Sequence, residues 1–390
     1  MQSVIDILNS LGSAFVDDWY DLDSWIVITA ALAAIACSIP GSFLVLRRQS
    51  MMGDALTHTV LPGIVAAFLL SHSLKTSGWI STSEADTHTA FDATSYAMMF
   101  GGAVLIGGLT AVLTEWVRRQ GRVESSAALG VVYTTLFAVG LLMIRLAADS
   151  VHIDPDCVLY GNVETVWTGP GHVPRAAWIG LGAVLFNATL VVCFFKELRI
   201  STFDPALATS LGINATWIHY ALMAVTAVTA VAAFESVGNI LVVAMLIVPP
   251  ATAHLLTDRL WLMLVLAGVI AAASATIGHA LAILLPPLLM APFADQPLLK
   301  GVKVENLDAS TSGMMAVTAG GLFVLALVLG PRHGLLVRLV HRLRLSVRIA
   351  AEDLLGVLYR QGESTPPQGL QHPSGHGSRF HRFAAWQLRL

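Results

Sequence analysis

Runs of predominantly apolar residues, each long enough to cross a bilayer, recur along most of this chain and leave few folds open to it. A helix that spans the hydrocarbon core needs about 20 such residues. About nine segments qualify: 25–46, 51–71, 96–116, 126–147, 177–195, 215–234, 238–256, 260–285 and 313–330. The last is the shortest and the second is the most polar, so a count of eight stays open. Lipid offers backbone N–H and C=O groups no partner, and each run satisfies its own hydrogen bonds by coiling into a helix. The fold class is therefore all-α, a polytopic membrane protein. Composition agrees, with 55% of the 390 residues hydrophobic and 12% charged, about half the charged share of ordinary soluble domains.

Lysine and arginine set the orientation. With the N-terminus outside, cytoplasmic turns carry Arg47, Arg48, Arg118, Arg119, Arg122, Lys196, Arg199 and Arg259, and the segment after the ninth run adds Arg332, Arg338, Arg342, Arg344 and Arg348. The other side receives only Lys75, Arg145, Arg175, Lys300 and Lys303. This bias predicts an external N-terminus and a cytoplasmic C-terminus. It divides the chain into an external segment 1–24, a transmembrane domain 25–330, a basic amphipathic cytoplasmic segment 331–363 and a disordered tail 364–390 rich in Pro, Gly, Ser and His. The N-terminus is acidic, with Asp6, Asp17, Asp18, Asp21 and Asp23, and lacks the basic start of a signal peptide. Cys37, Cys157 and Cys193 form no disulfide framework.

The second run, within RRQSMMGDALTHTVLPGIVAAFLL, holds an acid and a histidine. Asp54 and His58 are four residues apart and so share one helix face. Pro62, four residues further on, denies the His58 carbonyl its intrahelical partner. Ionisable groups in a span are costly and mark functional sites. The competing reading is a polar helix start near the interface, held by local hydrogen bonds. His279, in SATIGHALAILL, is a second candidate, set against a satisfied intramembrane histidine. Pro249 and Pro250, inside NILVVAMLIVPPATAHLL, predict an interrupted ladder and a bend.

The long turn KELRISTFDPALATSLGINATWIH carries start and stop signals for a helix of about two turns outside the bilayer. Thr202 or Asp204 can cap it, Pro205 suits its first turn and Gly212 its end. That regularity favours a docking element over a bare connector. No G-x-x-x-x-G-K-[ST] phosphate loop occurs, nor a hydrolase or redox constellation. Any ATP-driven step needs a separate subunit, and the chain does not read as an enzyme by itself.

Four segments, GSFLVLRRQSMMGDALTHTVLPG, DPDCVLYGN at 154–162, FDPALATSLGI at 203–213 and VGNILVVAMLIVPPATAHLL at 237–256, together resemble the membrane permeases of bacterial ABC importers for manganese, zinc and iron. The similarity runs in family order over residues 25–330. It implies a multi-pass protein of the bacterial inner membrane that works with an ATP-binding subunit, an extracytoplasmic metal-binding protein and a second permease subunit, identical or related, and not with nucleic acid. It implies no permanently bound cofactor, only a transported divalent metal, with manganese first on the strength of DPDCVLYGN and the lack of a long His-rich loop. Matched position by position, Asp54 and His58 resemble the acid and histidine of the metal path, and Asp156 the acid before an aromatic-glycine turn on the external side. Phe203, Asp204, Pro205, Ala208 and Gly212 resemble the helix that couples such permeases to their ATPase. Two other readings compete. An ion-coupled secondary transporter calls for inverted repeats with paired broken helices and no docking turn. A membrane-anchored regulator calls for a nucleic-acid-binding C-terminal segment.

Overall fold

In this computed structural model the structure describes residues 21–76, 93–147, 173–290, 309–330 and 334–363. Every regular element among them is a helix: α1 (Asp21–Leu46), α2 (Ser50–Thr76), α3 (Ala93–Gly121), α4 (Ser125–Ala147), α5 (Arg175–Cys193), α6 (Phe195–Phe203), α7 (Pro205–Ser210), α8 (Ala215–Val237), α9 (Asn239–Leu256), α10 (Leu260–Met290), α11 (Thr311–Leu329) and α12 (Leu335–Glu363). Among the described residues eight helices, namely α1, α3, α4, α5, α8, α9, α10 and α11, are long and apolar enough to span a membrane. The second sequence run forms α2, whose 27 residues reach across a bilayer by length and include the apolar stretch Pro62–Ser71. The choice between eight and nine spans thus turns on α2, the helix that carries Asp54 and His58.

The chain divides into two compact units, one up to Val324 and one from Leu325. In the first, α1 is the central helix and packs against α5, α8, α9 and α10. Its buried face of Ile26, Ala30, Ala33, Ala34 and Cys37 meets Leu241, Val242, Met245 and Leu246 of α9 and Ala271 and Ala275 of α10. The alanines let backbones approach closely, which is how helices associate in lipid.

Two prolines show how the interior handles missing amides. Pro40 lies inside α1 and leaves the Ala36 carbonyl without an intrahelical donor. The buried Asn187 of α5 supplies one, donating from Nδ2 to the Ala36 oxygen at 2.9 Å and bonding Thr229 of α8 as well. One amide so ties three helices. Pro249 and Pro250 are buried within α9, which stays helical on both sides of them. Pro250 frees the Leu246 carbonyl, and Gly41 of α1 sits so tightly against that oxygen that a Cβ there would collide with it.

A second close crossing joins α2 to α3, where a Cβ on Gly63 would come within 2.5 Å of the Gly102 carbonyl. A Cβ on Gly140 of α4 would come within 2.8 Å of the Pro62 ring. These glycines bring α3 and α4 down onto the helix that carries the acid and the histidine.

In the second unit, α12 is amphipathic. At 100° per residue, Leu336, Leu339, Leu343, Val347, Leu354 and Leu358 fall on one face, and Arg338, Arg342, Arg344 and Arg348 fall outside it.

Candidate functional site

The α2 helix places Asp54 and His58 one turn apart, and their side chains meet, with Oδ1 3.4 Å from Nε2. Both are about a third exposed, at 36% and 31%. From α4, Tyr133 stacks on the His58 ring with centroids 6.1 Å apart, and Phe137 meets it edge-on at 5.4 Å. The ring thereby packs against two aromatics of α4 while its Nε2 edge lies beside the carboxylate.

The other ring nitrogen faces α9. Asn239 Nδ2 lies 3.4 Å from His58 Nδ1, and the Asn239 amide oxygen is buried with no hydrogen-bond partner. Turning the amide about its last bond exchanges the two groups and presents that oxygen to an Nδ1 proton. With Nδ1 protonated, the turned amide would accept from it and leave the Nε2 lone pair for an ion beside Asp54, as an outer partner does for a metal-binding histidine. Asn239 was not among the residues singled out from sequence. Its only signal there is a polar side chain opening an apolar run just after Gly238, which has φ +81°.

The chemistry of the pair suits a divalent cation. Oxygen and nitrogen donors each about 2.1 Å from a metal and 3.4 Å from each other subtend about 108° at the ion, close to the tetrahedral angle. Among the described residues no three His, Cys, Asp or Glu side chains converge, so this chain offers a partial set.

His279 is placed elsewhere, among α1, α10 and α11. Its Nε2 lies 3.2 Å from Asp23 Oδ1 and its Nδ1 3.2 Å from Thr311 Oγ1, and it is 3% exposed. Asp156 lies outside the described residues.

The turn between α5 and α8 is built as its sequence signals predict. Asp204 caps α7, its Oδ1 accepting from Leu207 N at 2.9 Å, with Pro205 first in the helix. Thr202 belongs to α6 instead, where its hydroxyl accepts from Arg47 Nε. Gly212 has φ +82°, and Ile213 N donates back to the Ala208 carbonyl at 2.9 Å, a closure that needs the left-handed residue between. Ala208 is fully buried, while Phe203, Leu207 and Leu211 are 61%, 48% and 60% exposed. The short helix therefore holds on by its small residue and turns large apolar ones outward.

Comparison with known proteins agrees with this architecture. The sequence profile of the ABC 3 transport family matches residues 20–288. The chain is 36% identical over 329 residues to the manganese transport system membrane protein MntD of Bacillus subtilis, covering 83% of this chain and 97% of that protein. It is 38% identical over 319 residues to the zinc transport system membrane protein TroD of Treponema pallidum, covering 80% and 75%. Among solved structures it resembles PsaBC from Streptococcus pneumoniae in complex with Fab, with a TM-score of 0.61 and 25% identity over 84% of this chain and 97% of that one.

Proposed function

Since the chain belongs to the ABC 3 transport family and is a multi-pass membrane permease of that type, we propose that it carries a divalent transition metal into the cytoplasm, manganese first and zinc or iron next. The similarity to transport proteins named for manganese and for zinc supports this class of cargo. The single observation that carries the reading is the Asp54–His58 pair, two donors 3.4 Å apart on one helix, half open, with the far ring nitrogen facing a buried amide.

In this reading the chain itself is non-catalytic and holds no resident cofactor. It sits in the bacterial inner membrane with its N-terminus outside and α12 and the tail 364–390 in the cytoplasm. Two copies, or this chain and a related one, meet about an axis, so that each supplies Asp54 and His58 to a shared ion; Asp156 lies on the external entry and His279 is a secondary candidate along it. An extracytoplasmic metal-binding protein delivers the ion. An ATP-binding subunit docks on α7, where Phe203, Leu207 and Leu211 offer an apolar face and Asp204, Pro205, Ala208 and Gly212 hold the helix in shape.

The test is metal-resolved uptake into vesicles carrying the full complex. ATP-dependent accumulation of manganese, zinc or iron is expected, and accumulation without ATP, driven by an ion gradient, would replace this reading with secondary transport. The docking assignment is checked separately with Leu207→Asp and Gly212→Val. Both should lose the ATP-binding subunit on purification, and its normal recovery would remove α7 from that role.

A further inference from the structure

The end of the bundle that carries α6 and α7 also holds a cavity of about 440 Å³, separate from the Asp54–His58 pair. Its walls combine Arg47 at the end of α1, Gln49 in the next turn, and Thr114, Glu115, Arg118 and Arg119 of α3. Three guanidiniums thus face one carboxylate. Glu115 is divided between two of them: Arg118 reaches its two oxygens at 2.8 and 2.7 Å, and Arg119 shares one at 2.6 Å.

Arg47 is bonded to neutral groups. Its Nη2 donates to Ser201 Oγ at 2.8 Å and its Nε to Thr202 Oγ1 at 3.3 Å. Burial pulls this guanidinium below its ordinary pKa, as expected for a partly desolvated cation without a countercharge. Removing a cation from water without an anion beside it is destabilising, so the wall attracts one.

A second observation points to a ligand at the same place. Thr114 lines the same cavity and is 3% exposed; its hydroxyl, buried within the wall, has no hydrogen-bond partner, although buried polar groups are nearly always bonded. Outside the cavity, α3 presents Leu105, Leu109, Val112 and Trp116 in one stripe, 75%, 43%, 56% and 60% exposed. The stripe leads by helical spacing to Arg119, itself 66% exposed. An apolar track ending in a tryptophan and then a basic pocket is the form taken by headgroup sites between transmembrane helices.

We propose that this cavity binds a phosphate-bearing anion, with the headgroup of an anionic phospholipid as one source and free phosphate as the other. Arg118 and Arg119 would share their charge between Glu115 and the phosphate oxygens, the Thr114 hydroxyl would turn about χ1 toward the cavity and donate to one of them, and an acyl chain would follow the α3 stripe. The proposal stands whether or not the chain carries metal.

The full-length chain, purified in detergent, is titrated with phosphatidylglycerol, with phosphatidylethanolamine of the same acyl chains, and with inorganic phosphate. Binding is read by native mass spectrometry and by the thermal midpoint. Phosphatidylglycerol is expected to be retained and to raise the midpoint, and Arg118→Gln with Arg119→Gln should weaken it about 25-fold, near a factor of five per basic group. The matched control, Arg342→Gln with Arg344→Gln on α12, should leave retention unchanged. Thr114→Val, which keeps the volume and both arginines, should weaken binding about fivefold and covers the case in which the double variant does not fold. Displacement of the lipid by millimolar phosphate would identify the free anion as the ligand.

Equal retention of phosphatidylethanolamine overturns the proposal, as does wild-type binding by Thr114→Val, or the same loss in the α12 control. It is equally overturned if the double variant keeps its lipid but loses an ATP-binding subunit, since the cavity would then be filled by a protein partner.

Discussion

Two Asp–His pairs among the described residues differ in everything but their chemistry. Asp54 and His58 sit four residues apart on α2 with 3.4 Å between them, each about a third exposed. Asp23 and His279 come from opposite ends of the transmembrane region, lie 3.2 Å apart and are 16% and 4% exposed. The first pair is assembled by a single helical turn, so the contact between its two members links no elements, and its histidine edge stays accessible. The second joins α1 to α10, and through Thr311 to α11, with both ring nitrogens engaged. An acid and a histidine in a membrane helix are thus insufficient to mark a transport site. What separates the two is whether a cation can reach the donors without the protein first giving up a tie between helices.

The largest effect should follow from the open pair. Asp54→Ala or His58→Ala should lower manganese uptake into vesicles by at least about a hundredfold, while unfolding stability changes by no more than a neutral surface substitution does, about 0.5 kcal/mol. Uptake at the wild-type rate in either variant at limiting metal would break the contrast outright. Next comes Asn239→Ala, which removes the group facing Nδ1. Uptake should fall about tenfold, with apparent metal affinity and not maximal rate carrying most of the loss. Asn239→Asp, which retains an acceptor, should recover part of it. An Asn239→Ala variant with unchanged affinity would make the amide a packing residue.

For the closed pair the order reverses. Asp23→Asn or His279→Gln should lower unfolding stability by about 1.5–3 kcal/mol, the range for a buried hydrogen bond to a charged group. Uptake per correctly folded molecule should stay within about threefold of wild type, as expected of a histidine whose two ring nitrogens already have partners. Loss of uptake by His279→Gln at full stability would place His279 on the metal path and dissolve the distinction.

Much of this was readable in the chain. Asp54 and His58 needed only the helical period, and the α7 turn needed only its cap, proline and glycine, all of them local rules. Asn239 could not be paired with His58 from sequence because 181 residues separate them, and an amide at the start of an apolar run reads equally well as a cap. Asp23 read as one of five N-terminal acids, since nothing local ties it to a histidine 256 positions away. The Asn187–Ala36 bond was hidden for the same reason, although Pro40 announced that some group had to serve the Ala36 carbonyl. Local periodicity thus exposes the pair that one helix makes by itself, and packing decides which distant polar group completes it.

The smallest expected effect gives the finest test of the closed pair. Thr311→Val removes the hydroxyl beside His279 Nδ1 and should lower stability by about 1 kcal/mol, with no change in uptake. The informative quantity is its combination with Asp23→Asn. If the imidazole is one link held from both sides, losing either partner frees the ring to turn, and the second loss then does less harm than it would alone. The double variant should be less destabilised than the sum of the singles by about 0.5 kcal/mol or more. Effects that add to within about 0.3 kcal/mol would mean that α1 and α11 hold His279 independently. The pair would then be two separate contacts, and its difference from Asp54–His58 would reduce to burial alone.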